Sequence, residues 1–360
     1  MNRIPFAAAL FCLPTAALNS ANAHDVHTEP RAYDHAPIGV MGDHLHKKGE
    51  FMLSARYMRM DMGGNRIGTN SVTPEQIATT VPNQFFGQPM QPPTLRVVPT
   101  TMTMDMYMLG AMYAPSNNVT LMAMTMYGER EMDHITFQGG MGTTRLGEFT
   151  TNTSAFGDTK VAALVRLFDN VTHKVHLNAG ISVPTGKISE RDQILTPMGG
   201  TPTVRLPYPM QIGSGTWDLA PGITYVGHEG SWNWGAQASA LIRLGDNDAN
   251  YSLGDRWEAT SWLSYGFSDS FSISARMKGS TQGRISGQDV QIIAPVQTAQ
   301  TAFHGGERLD ALFGANFLVT GGSLKGHRLG IEFGVPVVQD LNGPQMETDY
   351  TLTVGWQLAF

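Results

Sequence analysis

Thioether sulfur recurs at nearly every second residue through 101–126, TMTMDMYMLGAMYAPSNNVTLMAMTM: Met102, Met104, Met106, Met108 and Met112, then Met122, Met124 and Met126. Met52, Met58 and Met60 keep the same parity upstream. Thioethers are soft donors that favour Cu(I), and the flexible methionine chain can bring two sulfurs onto one ion. That flexibility also makes methionine an apolar filler, so the row equally suits packing against another segment or contact with an apolar solute. The metal reading adds His44 and His46, whose rings share a side in an extended chain, as a place where Cu(I) or Ag(I) enters or leaves. Two such histidines also suit plain solvent.

A second set of residues is charged. Arg56, Lys160, Arg166, Lys174, Arg243, Arg256, Arg276, Lys278, Arg308 and Arg328 fall on one parity of their segments, with His176, Asp218, Glu258, Asp310 and Glu332. Paired charges filling a narrow lumen explain them; the alternative is a basic constriction that selects anions. Catalysis has little to build on. There is no G-x-S-x-G elbow, and His134, His304, Asp133 and Glu307 sit in stretches read as loops. No cofactor is required, Cu(I) or Ag(I) being cargo or bound ion.

A step of two is the side-chain period of a β-strand. Opposite the methionines run Tyr107, Leu109, Ala111 and Tyr113, then Leu121, Ala123 and Tyr127. A tight turn at Pro115 to Asn118 makes the stretch a hairpin. It sets Met108 opposite Met124 and Met106 opposite Met126, and a slip of two would still pair methionine with methionine. Small aliphatics bracketed by tyrosines are what an outer-membrane strand shows to lipid.

Targeting signals agree. Arg3, a short apolar region over 4–18 and Ala21-Asn22-Ala23 make a signal peptide over 1–23, with the mature chain beginning at His24. The single cysteine, Cys12, falls in that segment, so the mature protein has no disulfide. A net charge of −6, one unit lower without Arg3, argues against nucleic acid. No run approaches the roughly 18 apolar residues of a spanning helix.

Residues 24–49 form a polar, histidine-rich lead-in (His24, His27, His35, His44, His46), read as a periplasmic segment or plug. Residues 50–360 carry period-two strands beginning near Phe51, Met102, Val119, Lys160, Lys174, Trp217, Trp232, Arg256, Phe271, Arg308, Arg328 and Tyr350. Long and short connections alternate between them: loops at 63–99, 133–155, 184–215, 245–254, 279–306 and 338–349 alternate with tight turns such as Asp169-Asn170 and Ser268-Asp269-Ser270. Outer-membrane barrels have an even strand number, long loops outside and short periplasmic turns, and closure removes sheet edges. The expectation is an all-β, transmembrane antiparallel β-barrel of about twelve strands, up-and-down in topology. It belongs in the outer membrane of a Gram-negative bacterium, among lipid and lipopolysaccharide, with both termini periplasmic. Phe360 ends an alternating aromatic strand of the form read by the insertion machinery.

Residues 35–65, HAPIGVMGDHLHKKGEFMLSARYMRMDMGGN, resemble the opening of the MetA-pathway phenol-degradation family of outer-membrane transporters, whose methionine-rich members often accompany copper-resistance genes. The resemblance spans about 36–360 and is most specific over 39–65. It implies a barrel and an association with transport, and it supplies no ligand residues. The functional expectation is an outer-membrane channel handling Cu(I) or Ag(I) along the methionine wall, with a periplasmic metal-handling partner. The alternatives are uptake of small apolar or aromatic compounds, and a structural or adhesin barrel with a sealed lumen.

Overall fold

The computed structural model describes residues 31–360; the expected signal peptide and cleavage site and the lead-in before Arg31 lie outside them. In chain order the strands are β1 (Phe51–Gly68), β2 (Asn70–Val72), β3 (Val97–Ser116), β4 (Val119–Phe137), β5 (Arg145–Phe156), β6 (Thr159–Asp169), β7 (His173–Val183), β8 (Arg191–Gln193) and β9 (Thr203–Arg205). They continue as β10 (Asp218–Glu229), β11 (Trp232–Arg243), β12 (Tyr251–Ser252), β13 (Arg256–Ser268), β14 (Phe271–Gln282), β15 (Ser286–Gly287), β16 (Gly306–Leu318) and β17 (Arg328–Ala359). One short helix, α1 (Pro74–Thr80), lies in the first long loop.

Eleven of these strands (β1, β3, β4, β6, β7, β10, β11, β13, β14, β16 and β17) form a closed antiparallel wall, with β17 pairing back onto β1. β2 and β5 attach to the sheet outside the ring. β17 is a single 32-residue run whose first part pairs with β16 as far as Leu341 and whose remainder pairs with β1. An antiparallel ring closes only with an even number of staves, so β17 supplies two. Contacts across its own fold agree: Arg328 reaches Gln357, and Phe333 stacks on Tyr350 with ring centroids 5.7 Å apart. The wall therefore has twelve staves.

The alternation read from the sequence sorts the two faces. Leu109, Leu121, Leu177, Ile223, Leu263, Ile273, Phe313 and Ile331 are exposed, and intervening positions such as Met112, Thr120, His176, Thr224, Trp262, Ser272, Leu312 and Glu332 are buried. An apolar surface of that extent belongs against lipid, not water. Its upper edge is marked where Tyr57 stacks on Tyr107, ring centroids 5.4 Å apart, and Arg59 reaches Asp105 at 3.4 Å.

Three expectations are corrected. β1 and β4 run on to Gly68 and Phe137, and most of the expected loop at 133–155 is strand, β5 continuing the pairing with β4 above β6. The expected loop at 338–349 is also strand on both sides of a fold near residues 342–344, so the last connection on the long-loop side is short. Finally, Met108 faces Met126, while Met124 faces Gly110 and Met106 faces Gly128. The turn closes between Ser116 and Val119, and a register shift between Tyr113 and Ser116 brackets Pro115. Proline lacks the N–H that a regular ladder needs there.

Leu109→Arg puts a cation on the outward band and should cost about 2–4 kcal/mol if Leu109 lies near the bilayer midplane; Met108→Arg, turned inward, should cost less. Urea unfolding in lipid vesicles, followed by tryptophan fluorescence, measures both. Equal losses would reverse the assignment of faces.

Candidate functional site

β1, β3 and β4 set their methionines side by side. In β1 and β3, Met52 pairs with Met112, Met58 with Met106, Met60 with Met104 and Met62 with Met102. In β3 and β4, Met102 pairs with Met132, Met108 with Met126 and Met112 with Met122. Directly opposed residues have Cβ atoms about 4.5–5.5 Å apart, so the side chains of each pair are neighbours on the inner face. The lower end, Met52 and Met112 with Met122, packs on Leu164 and Leu45. The upper end packs Met102 and Met132 against Leu206 and Met210, with Met62, Met104, Ile194 and Met346 around them. Leu206 and Met210 come from the 184–217 loop, which Arg130 of β4 draws inward by donating to the carbonyls of Pro209 and Gln211.

The opposite side of the bore carries charge, much of it paired within or across strands. Arg276 donates to both carboxylate oxygens of Glu332, at 2.8 and 2.7 Å, and both side chains are buried. Asp310 accepts from Lys278 at 3.2 Å and Arg308 at 3.0 Å. Asp218 pairs with Arg243, and Arg256, more exposed near the loop end, pairs with Glu258 at 2.6 Å. Lys160 lies in the combined field of Asp218, Glu258, Arg243 and Arg256. Lys174 stands exposed at the short-turn rim, where Arg166 pairs with Asp169. These five carboxylates offset about half of the ten basic groups and so weaken the positive field that an anion constriction would need.

The remaining inward groups hold the lead-in. Residues 31–50 lie across the short-turn end of the bore, touching almost every stave. Ser272 donates to the carbonyl of Ala32, and Arg328 to that of Ala36 at 2.6 Å. Gln237 donates to the carbonyl of Met41, His176 to that of Gly42 at 2.9 Å, and Arg56 contacts the Met41 sulfur. The His46 amide donates to Thr120 at 3.0 Å. Ile38 sits so close to Gly330 and Gly355 that a Cβ on either would come within 2.7 Å of it. Ala36 and Val40 pack on Trp262, whose Nε1 donates to Asn233 at 3.0 Å. The sequence reading passed over Trp262, because an apolar residue of inward parity has no purpose until something fills the bore.

Within the lead-in, His44 and His46 stand with ring centroids 4.8 Å apart, and His35 and Asp43 complete a cluster that spacing alone did not reveal. Burial pushes the His35 imidazole well below its ordinary value, with Arg328 adding to the effect. Burial, then His44, holds His46 down at about 4. Burial works against the Asp43 carboxylate, but His44, followed by His35 and Arg328, outweighs it and keeps Asp43 well below the ordinary value.

Above the methionine wall the long loops border a half-open cavity of about 480 Å³ lined chiefly by apolar groups, among them Phe149, Ile194, Met198, Leu206, Ile292 and Val296. Ile194 and Leu206 also belong to the upper methionine cluster, so cavity and wall meet. Arg96, fully buried, gathers the carbonyls of Ala78, Gln138, Gly139 and Gly142 and so ties the neighbouring loops together.

No family model and no curated protein matches the chain. Among solved structures it is similar to the COG4313 outer membrane channel from Pseudomonas putida F1, at 14% identity and a TM-score of 0.59, over 90% of this chain and 100% of that one. The TodX monoaromatic hydrocarbon channel (deltaS2 mutant) aligns at 10% identity and a TM-score of 0.44, over 88% and 91% of the two chains. A Pseudomonas aeruginosa FadL homologue aligns at 10% and 0.39, over 87% and 89%. The first likeness fixes the fold as that of an outer-membrane β-barrel; the other two, at such scores, are distant likenesses of shape. That first solved structure is a channel rather than an enzyme.

Gly330→Leu drives a side chain into the place of Ile38, an overpacking that should cost about 1–3 kcal/mol and unseat the lead-in. Single-channel conductance in planar bilayers should rise. Unchanged conductance would mean that the bore is closed elsewhere.

Proposed function

We propose that this chain is an outer-membrane channel, with both termini in the periplasm, that admits small apolar or aromatic molecules. The supporting observation is the continuity at Ile194 and Leu206, which belong both to the loop cavity of about 480 Å³ and to the methionine cluster below it. A molecule of one or two rings fits a cavity of that size. From there it meets thioethers, which are apolar, polarisable and favourable neighbours for aromatic rings. Arg56, Arg130 and Lys160 interrupt this track, the first two being held by Met41 and by the 184–217 loop, and the lead-in stands between the track and the periplasm.

A second reading, transport of Cu(I) or Ag(I), draws on the seven methionine pairs in direct register. Soft thioether pairs are suitable ligands for these ions. The two readings separate in one experiment, because leucine keeps the wall apolar while removing sulfur.

Calorimetric titration of the purified barrel with toluene or phenol should show saturable binding. Ile194→Asp should weaken it by roughly tenfold or more, since a carboxylate is costly in an apolar cavity. Replacing Met102, Met104, Met106, Met112 and Met126 with leucine, which breaks all seven pairs, should leave aromatic binding intact and abolish any Ag(I) binding. Absence of saturable aromatic binding by the folded barrel would overturn the first reading, and Ag(I) binding that survives the leucines would overturn the second.

A further inference from the structure

The lead-in holds more imidazole than seating it requires. His35 and His44 meet edge to face with ring centroids 4.6 Å apart, and His44 meets His46 in the same way at 4.8 Å. One ligand atom from each of His35, Asp43 and His44 lies within 4.8 Å of the other two. His35 Nδ1, His44 Nε2 and His46 Nε2 are buried with no hydrogen-bond partner among the described residues. Three unsatisfied ring nitrogens in one small volume are a costly arrangement, and buried polar groups are seldom left so.

Two of the rings are also oriented from behind. His44 Nδ1 donates to Asp43 Oδ1 at 2.9 Å, and His46 Nδ1 to Glu50 Oε2 at 3.3 Å. A proton held on Nδ1 leaves a lone pair on Nε2. A carboxylate that fixes the far nitrogen of an imidazole is the usual support of a metal-ligating histidine.

We infer that His35, His44 and His46, with Asp43 and Glu50 holding the far nitrogens of His44 and His46, form a site for a borderline divalent transition-metal ion, Zn(II) or Cu(II), that ties the lead-in into its folded form. Imidazole suits these ions, whereas the thioether wall suits Cu(I) and Ag(I), so the two sets of donors are chemically distinct. Metal–nitrogen bonds of about 2.0–2.1 Å hold two ligand atoms no more than about 4.2 Å apart, so small side-chain rotations close the site. The ion would join residue 35 to residues 43–46, on either side of the stretch that packs Ala36, Ile38 and Val40 into the bore. The site does not depend on what the channel carries, and its failure would leave the solute reading standing.

The test uses the full mature barrel in detergent, with His24 and His27 replaced by glutamine, stripped with a chelator. Zn(II) is titrated by calorimetry, and Cu(II) is followed by electron paramagnetic resonance. The expected result is one ion per barrel, with Cu(II) showing coupling to at least two imidazole nitrogens. His35→Ala and His44→Ala should each weaken binding roughly tenfold or more, and Asp43→Asn about 10–100-fold. Met58→Leu with Met106→Leu should change nothing. Heat-modifiable migration on gels reports that each variant is folded, and His44→Gln replaces His44→Ala if the latter does not fold. No Zn(II) or Cu(II) binding by the folded parent, no imidazole coupling, or unaltered affinity in the His35 and His44 variants would each overturn the site.

Discussion

Every backbone amide of a chain immersed in hydrocarbon must find its partner within the protein, because no water is present to take its place. In this barrel the seam between β1 and β17 discharges that requirement, running from Met52 opposite Ala359 to Asp61 opposite Tyr350 without a break. Once the seam closes, parity is fixed around the ring. A single choice of inward or outward at one residue settles the choice for its whole strand, and hydrogen bonding carries the result to the next. The sulfur wall, the charged wall and the lipid belt are therefore one decision seen from three sides.

The bore that results is divided along its length. On β1, β3 and β4 it is lined chiefly by thioethers, which neither ionise nor demand hydrogen bonds, with Arg56 and Arg130 among them. On β10 to β17 it is lined by charges that pair within a strand or across strands, as Arg256 does with Glu258 and Lys278 with Asp310. A buried pair such as Arg276 and Glu332 adds little net stability but is costly to break from one side. It therefore keeps that wall rigid while the methionines opposite remain adaptable.

Strand existence and strand face were legible in the sequence, because lipid contact forces period-two alternation on any stave that crosses. β5 was not: RLGEFTTNTSAF lies above the belt, where pairing with β4 suffices and no apolar row is needed. The register of the methionine hairpin was missed by two residues because the local effect of Pro115 does not show in the hydrophobic pattern. Of the candidate site, the methionine row could be read directly, since its spacing is its geometry. His35 and Asp43 could not be assigned, because they meet His44 only when the lead-in turns inside the barrel. Trp262, Leu164 and Leu312 had the parity of lumen residues and the chemistry of core residues. That contradiction was itself a signal that the lumen is filled.

The seat of the lead-in has one further implication, which concerns the order of events during biogenesis. Residues 31–50 are made first, yet Ile38 and Ala36 rest on Gly330, Gly355 and Arg328, which are among the last to be made. The earliest segment therefore has no berth until the final hairpin has joined the ring. A polypeptide cut short before that hairpin would leave its amino-terminal stretch trailing and open to proteases. Docking of the lead-in thus reports that the cylinder is complete, and makes the mouth of the barrel an inspection point for its own assembly.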